Sequence, residues 1–260
     1  MDLSKFTLDG KYLMLALDHR GSIKKLMNSL DPESISDDRV IALKAEIIEA
    51  LADQFSGVLI DETFGLDACK EVCSIKPFLL PLEKSSHTGV TELEYSVKDL
   101  KNLGASGAKI LIDFNPDSEN ASQQLQTAKK VAEDCKTADF PLFLEIVTHS
   151  PDKVLESLRK FLDFDIKPDV WKLEFPGSFE NCGQITGMVG ETPWILLTGG
   201  TSYGEFKSEL EKAITGGAKG FLAGRALWQE VCKLEGEEKS KFLKETLPAR
   251  FKEISEITIS

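Results

Sequence analysis

Ala108-Lys109-Ile110-Leu111-Ile112-Asp113-Phe114 and Pro141-Leu142-Phe143-Leu144-Glu145-Ile146-Val147 are two short, largely apolar runs joined by a helical pattern over residues 118–135. Runs of this length, rich in Ile, Leu and Phe, read as strands buried on both faces, and with the helix between them they form a parallel βαβ unit. The alternation continues outward in both directions. Strand-like runs fall at 12–17, 58–60 and 78–82 on one side and at 170–174, 194–198 and 220–223 on the other. Helical patterns occupy 37–55, 93–103, 151–161, 203–215 and 227–233. Eight strands and their helices in 260 residues is the size of an α/β chain closed as a (β/α)8 TIM barrel.

The alternative is an open doubly wound sheet, which announces its phosphate site in the first βα turn as GxGxxG or a P-loop. That turn reads Asp18-His19-Arg20-Gly21-Ser22 here, and the glycine-rich turns come late. No linker or low-complexity tract divides the chain, so a single domain over 1–260 is expected, with a short N-terminal lead-in and a C-terminal helical tail. Residues 235–250 read as a solvated helix, and 254–260 have no assignment.

Composition narrows the function. The chain carries 43 acidic and 31 basic side chains, a formal charge of −12, which makes it a poor partner for nucleic acid or an anionic membrane. Its 42% hydrophobic and 28% charged residues exclude wholesale disorder. No apolar run reaches the roughly 18 residues of a membrane span, and the N-terminus lacks the pattern of a secretory signal, so the expected location is cytoplasmic. Cys69, Cys73, Cys135, Cys182 and Cys232 show no zinc spacing and read as small buried hydrophobes in a reducing compartment. His19, His87 and His149 are scattered, so no metal site is expected.

The ionisable groups set into apolar strands are the informative ones. Lys172 and Glu174 share a strand face with Val170, and a charge there needs a partner, a lowered pKa or a covalent fate. Asp18 ends the first strand, Lys109 and Asp113 lie on the fourth, and Glu145 lies on the fifth. A barrel brings such side chains together at its C-terminal mouth. Lysine, beside a second cation and partly desolvated, attacks a carbonyl as the neutral amine, and a carboxylate moves the protons. The competing reading is a buried ion-pair network that only fixes the barrel's register. The turns Thr198-Gly199-Gly200-Thr201-Ser202 and Ala223-Gly224-Arg225-Ala226 follow the seventh and eighth strands, the usual phosphate grip of this fold, and Arg225 adds a permanent cation.

These motifs resemble the class I tagatose-1,6-bisphosphate aldolases and their relatives, including sulfofructosephosphate aldolase, within the class I aldolase superfamily. The similarity runs through strand-sized islands: Leu15-Ala16-Leu17-Asp18-His19-Arg20-Gly21, Leu82-Glu83-Lys84, Lys109-Ile110-Leu111, Phe143-Leu144-Glu145-Ile146, and above all Asp169-Val170-Trp171-Lys172-Leu173-Glu174-Phe175-Pro176. The resemblance implies that Lys172 forms the Schiff base and Glu145 is the acid/base, with Asp18 and Lys109 as the supporting pair. Gly199, Gly200, Gly224 and Arg225 would hold phosphate, and His19, Arg20 and Asp61 would contact substrate, the first two at its far end. Two departures bear on that end. The family usually reads Asp-Gln-Arg in place of Asp18-His19-Arg20, and Asp-Pro-Glu-Tyr-Gly in place of Asp61-Glu62-Thr63-Phe64-Gly65.

The implied activity is a metal-independent, Schiff-base cleavage of a phosphorylated ketose to dihydroxyacetone phosphate and an aldehyde. A ketohexose 1,6-bisphosphate such as tagatose 1,6-bisphosphate is the leading substrate, with 6-deoxy-6-sulfofructose 1-phosphate beside it. No cofactor is implied beyond the covalent bond to substrate, the partner is a small phosphosugar, and assembly into a homo-oligomer stays open. Other readings are a non-covalent phosphosugar isomerase or decarboxylase and a non-enzymatic phosphometabolite-binding regulator.

Overall fold

The structure is a computed structural model that describes residues 1–85 and 89–260; His87 lies outside the described residues. Its elements run β1 (Tyr12–Leu17), α1 (Gly21–Met27), α2 (Asp37–Leu51), β2 (Gly57–Ile60), α3 (Gly65–Cys69), β3 (Phe78–Pro81), α4 (Val97–Asn102) and β4 (Gly107–Asp113). They continue with α5 (Ala121–Thr137), β5 (Leu142–Val147), α6 (Val154–Asp163), β6 (Val170–Leu173), α7 (Phe179–Val189) and β7 (Trp194–Leu197). The chain then forms α8 (Tyr203–Thr215), β8 (Gly220–Ala223), α9 (Arg225–Trp228), α10 (Gly236–Lys241) and α11 (Leu247–Ile259). The eight strands pair in parallel, in chain order, and close through β1 and β8. Closure needs glycine at the start of β8. Gly220 has φ +145°, and a Cβ there would sit 2.0 Å from the Tyr12 carbonyl oxygen.

Strand alternation divides the apolar residues into two sets. Tyr12, Met14, Ala16, Leu59, Leu79, Phe143, Val170, Ile195 and Leu222 fill the barrel, joined by Phe6 from the N-terminal lead-in. Phe6 lies edge-on to Phe143 with ring centroids 5.2 Å apart, so it closes the lower end of the barrel. The alternate residues, among them Leu13, Ile60, Ile110, Leu144 and Trp171, pack outward against the helices. Apolar filling below leaves the next inward positions of β4, β5 and β6, which are Lys109, Glu145 and Lys172, facing the C-terminal end.

Three segments differ from the sequence expectation. α7 has no counterpart among the expected helices, because Gly183 and Gly187 dilute its periodicity and each costs about 1 kcal/mol against alanine. Ser178 caps it by accepting from the Asn181 N–H, and Cys182, Ile185 and Val189 are buried along one face. The helix expected over 93–103 starts only at the capping box of Ser96 and Asp99, since Leu93 pairs with Glu83 in an isolated bridge. The tail is docked rather than solvated. Leu247, Phe251, Ile254 and Thr258 bury one stripe of α11, with the Phe251 ring 5.4 Å from that of Phe221. That helix also takes in most of 254–260.

The cysteines also depart from the expectation. Cys69 and Cys73 form a disulfide, because the chain turns after α3 and brings their Cα atoms to 5.3 Å, within bridging range. Cys135, Cys182 and Cys232 are free and buried, and burial pushes their thiols up to about 12, about 11 and about 12.

Candidate active site

Lys109, Glu145 and Lys172 are 2%, 6% and 4% exposed. The register sets Glu145 beside Lys172, and Lys172 Nζ lies 2.8 Å from Glu145 Oε1. Lys109 Nζ is ringed by carboxylates, with Glu83 Oε1 at 2.6 Å, Asp18 Oδ2 at 3.1 Å and Glu145 Oε2 at 3.2 Å. Lys109 is therefore not the bare second cation that the sequence suggests; its charge is spent on three anions. Burial alone would neutralise it, yet Asp18, Glu83 and Glu145 hold its ammonium well above the ordinary lysine range. The same pairing works in reverse on the anions. Burial opposes ionisation of Asp18 and Glu145, but Lys109 and Lys172 outweigh it and keep both below the usual carboxylate range.

Glu83 belongs to this cluster and was not singled out from the sequence. The signal was present: it is a carboxylate two residues past β3, as Asp18 is one residue past β1. Among the described residues, Oε2 of Glu83 has no hydrogen-bond partner, and Oε2 of Glu145 has only the 3.2 Å ion-pair contact with Lys109. Such atoms call for an explanation, and polar hydrogens of a bound ligand supply one.

Asp61 does not share the site. Alternation along β2 would point it inward after Leu59, but the strand ends at Ile60 and the chain turns. Its carboxylate accepts from the Phe64 N–H and pairs with Lys44 of α2 behind the barrel wall, where both side chains are fully buried. Lys44 also donates to the Leu17 carbonyl, so one ammonium ties the ends of β1 and β2 together beside Asp18. Burial pulls this lysine below its ordinary range despite the pull of Asp61.

His19 and Arg20 go to opposite sides of the mouth. His19 lies edge-on to Trp228 with centroids 5.0 Å apart, and its Cε1 is 3.3 Å from where a Cβ of Gly224 would stand. It therefore borders the glycine turn after β8, not the far end of the cavity. Burial lowers its imidazole to about 4, with Asp18 opposing and Arg225 assisting. Arg20 reaches toward β3, donating to Glu94 Oε2 at 2.6 Å and to the Glu83 carbonyl at 3.0 Å. After β7, Gly200 takes φ +84°, and a Cβ there would be 3.0 Å from Arg225 Nη2. Only glycine lets the guanidinium lie this close to the loop. Gly199, Gly224 and Arg225 line the cavity directly, and Gly200 sits behind the guanidinium.

A cavity of about 400 Å³ opens over this cluster, its apolar lining including Ala16, Leu111, Val147, Leu197 and Leu222. Its wall joins Lys172 and Glu145 to the two glycine turns, with Arg20 on the other side. Among the described residues no group of three or more His, Cys, Asp or Glu is arranged to hold a metal ion. Among them, too, no helix is long and apolar enough to cross a membrane.

The model of the DeoC/LacD family aldolases matches residues 12–230, which span every strand of the barrel. The chain belongs to the DeoC/LacD aldolase family. This member is 27% identical over 300 residues to tagatose 1,6-diphosphate aldolase 2 of Streptococcus pyogenes serotype M6, covering 98% of this chain and 92% of that protein. It is 29% identical over 258 residues to tagatose 1,6-diphosphate aldolase 1 of Streptococcus mutans, covering 82% and 79%. Its fold matches that of an archaeal fructose-1,6-bisphosphate aldolase solved with its catalytic lysine bound to the carbinolamine intermediate, at a TM-score of 0.69, 20% identity and 99% coverage of both chains. The family aldolase thus has its barrel, its lysine pair and its glycine turns in one mouth.

Proposed function

We propose that this DeoC/LacD aldolase cleaves a ketohexose 1,6-bisphosphate such as tagatose 1,6-bisphosphate through a Schiff base on Lys172. The reading rests on one observation: a buried lysine amine at the cavity floor, 2.8 Å from a buried carboxylate that can take its proton. Glu145 accepts that proton, and the neutral amine attacks the C2 carbonyl. The amine's own proton passes to the new alkoxide, and protonated Glu145 then donates to that hydroxyl, which leaves as water and gives an iminium with Glu145 again a carboxylate. Glu145 then removes the proton of the C4 hydroxyl, the C3–C4 bond breaks, and its electron pair passes into the iminium to form an enamine while the aldehyde leaves. Protonation at C3 and hydrolysis release dihydroxyacetone phosphate and restore the lysine.

Asp18, Glu83 and Lys109 hold the hydroxyls and keep the charges of the site in balance. Gly199, Gly224 and Arg225, with Gly200 behind, take the C1 phosphate, and this binding fixes the carbonyl over Lys172. The chemistry needs no metal, so EDTA should leave turnover unchanged. The substrate and the chain's acidic surface suit the cytoplasm.

The test is borohydride reduction in the presence of dihydroxyacetone phosphate, followed by peptide mass spectrometry. A stable adduct on Lys172 is the expected result. Turnover of the bisphosphate with no adduct would assign the site to a non-covalent isomerase or decarboxylase instead.

A further inference from the structure

Glu174 belongs to the most specific stretch of the sequence, yet the mechanism above leaves it unused. Its carboxylate does not join the lysine cluster. It accepts from the Thr148 N–H at 2.6 Å, the Thr148 hydroxyl at 2.8 Å and the His149 N–H at 3.3 Å, pinning the loop after β5. Pinned in this way, His149 takes φ +56°, a left-handed conformation uncommon outside glycine. Its ring swings to the end of β4, where Nε2 lies 3.0 Å from Asp113 Oδ2. Glu174, His149 and Asp113 all line the cavity above Lys172.

The position of this pair around the barrel determines which half of a substrate it meets. Asp113 pairs with Val147, two residues and so about 6–7 Å nearer the mouth than the layer of Leu111, Glu145 and Lys172. The glycine turns follow β7 and β8, and β4 stands across the closed barrel from β8. A ketose joined to Lys172 at C2, with its C1 phosphate toward β7 and β8, must run its remaining carbons toward the opposite wall. Resting on the aldolase reading, we infer that His149, bonded to Asp113, contacts the aldehyde-forming half of the substrate and sets specificity for it. Glu174 is the positioning residue that holds His149 there.

The two halves separate experimentally in the condensation direction. The probes are dihydroxyacetone phosphate and glyceraldehyde 3-phosphate, with the full-length protein and its His149→Ala and Glu174→Gln variants. Losing one hydrogen bond to a charged partner should raise KM for the aldehyde about ten- to a hundred-fold in both variants. Borohydride trapping of dihydroxyacetone phosphate on Lys172 should proceed at the unmutated rate. His149 is largely exposed, so its replacement leaves the fold in place. An aldehyde KM within about twofold of the unmutated value in His149→Ala would overturn the inference, as would a parallel loss of trapping. Absence of an adduct in the unmutated protein would overturn the aldolase reading beneath it, a separate outcome.

Discussion

Lys44 and Lys109 are buried alike, and each is bonded to carboxylates at the C-terminal ends of barrel strands. They stand on opposite sides of one wall. Lys109 faces inward, holds three carboxylates and borders the cavity, while Lys44 faces β1 and β2 from a helix behind them and is sealed with Asp61. Burial works against both ammonium charges, yet the net shifts are opposite. Three anions carry Lys109 well above the ordinary lysine range, whereas one anion leaves Lys44 below it. A buried charge is thus no mark of a reactive site by itself. What distinguishes the inner cluster is an opening to a ligand, together with an acceptor, Oε2 of Glu83, that no described residue fills.

The largest effect should come from the inner side. Lys172→Ala should cut turnover at least about 10⁴-fold with an unchanged circular dichroism spectrum, since Glu145 keeps Lys109 as a partner. Appreciable turnover in that variant would remove the lysine from the chemistry. Glu145→Gln should lower kcat about 10²- to 10⁴-fold and slow borohydride trapping, both read in single-turnover assays; a full rate would pass the proton transfers to Asp18 or Glu83.

On the outer side the readout changes from rate to stability. Asp61→Ala strands the Lys44 ammonium and should cost about 3–5 kcal/mol in urea unfolding, while the folded fraction keeps its kcat. Replacing both partners, Lys44→Met with Asp61→Leu, should recover most of that loss, because apolar pairs of similar volume tolerate the same space. If the double replacement were as unstable as the single one, Lys44 would owe its place to the Leu17 carbonyl instead.

His19 tests the border between the two regions. Its imidazole stays neutral in the fold down to about 4, whereas an unfolded histidine takes up its proton near 6.5. The unfolded state binds more protons across that window, so stability falls as pH drops from about 6.5 to about 4, by roughly 3 kcal/mol at most. His19→Gln should flatten that part of the curve in urea melts taken at each pH. A slope identical to that of the unmutated chain would mean the imidazole is solvated and not held against Trp228.

Where a signal was local, the sequence carried it. Apolar runs delimit all eight strands to within a residue or so at each end, because a strand buried on both faces cannot admit polar residues except at a price in free energy. Lys172, Glu145, Asp18 and Lys109 were legible as misplaced charges on those runs. Glu83 had the same strand-end signal. Lys44 also left one, as the charged member of the stripe Val40, Leu43, Lys44, Ile47, Ile48 and Leu51 on α2. Asp61, which the family resemblance sets against the substrate, is turned instead toward Lys44, because the strand ends at Ile60 and the turn after it redirects the side chain.

The sequence by itself determined the barrel, the order of its strands and the inward lysines, since each of these follows from periodicity and from the cost of burying charge. Only the tertiary structure decided which charges meet. It put Lys109 among three carboxylates, sent His19 and Arg20 to different walls, sealed Asp61 away and brought His149 to Asp113. Those outcomes depend on how loops turn once strands end, and on partners tens of residues distant, and neither is encoded in local spacing.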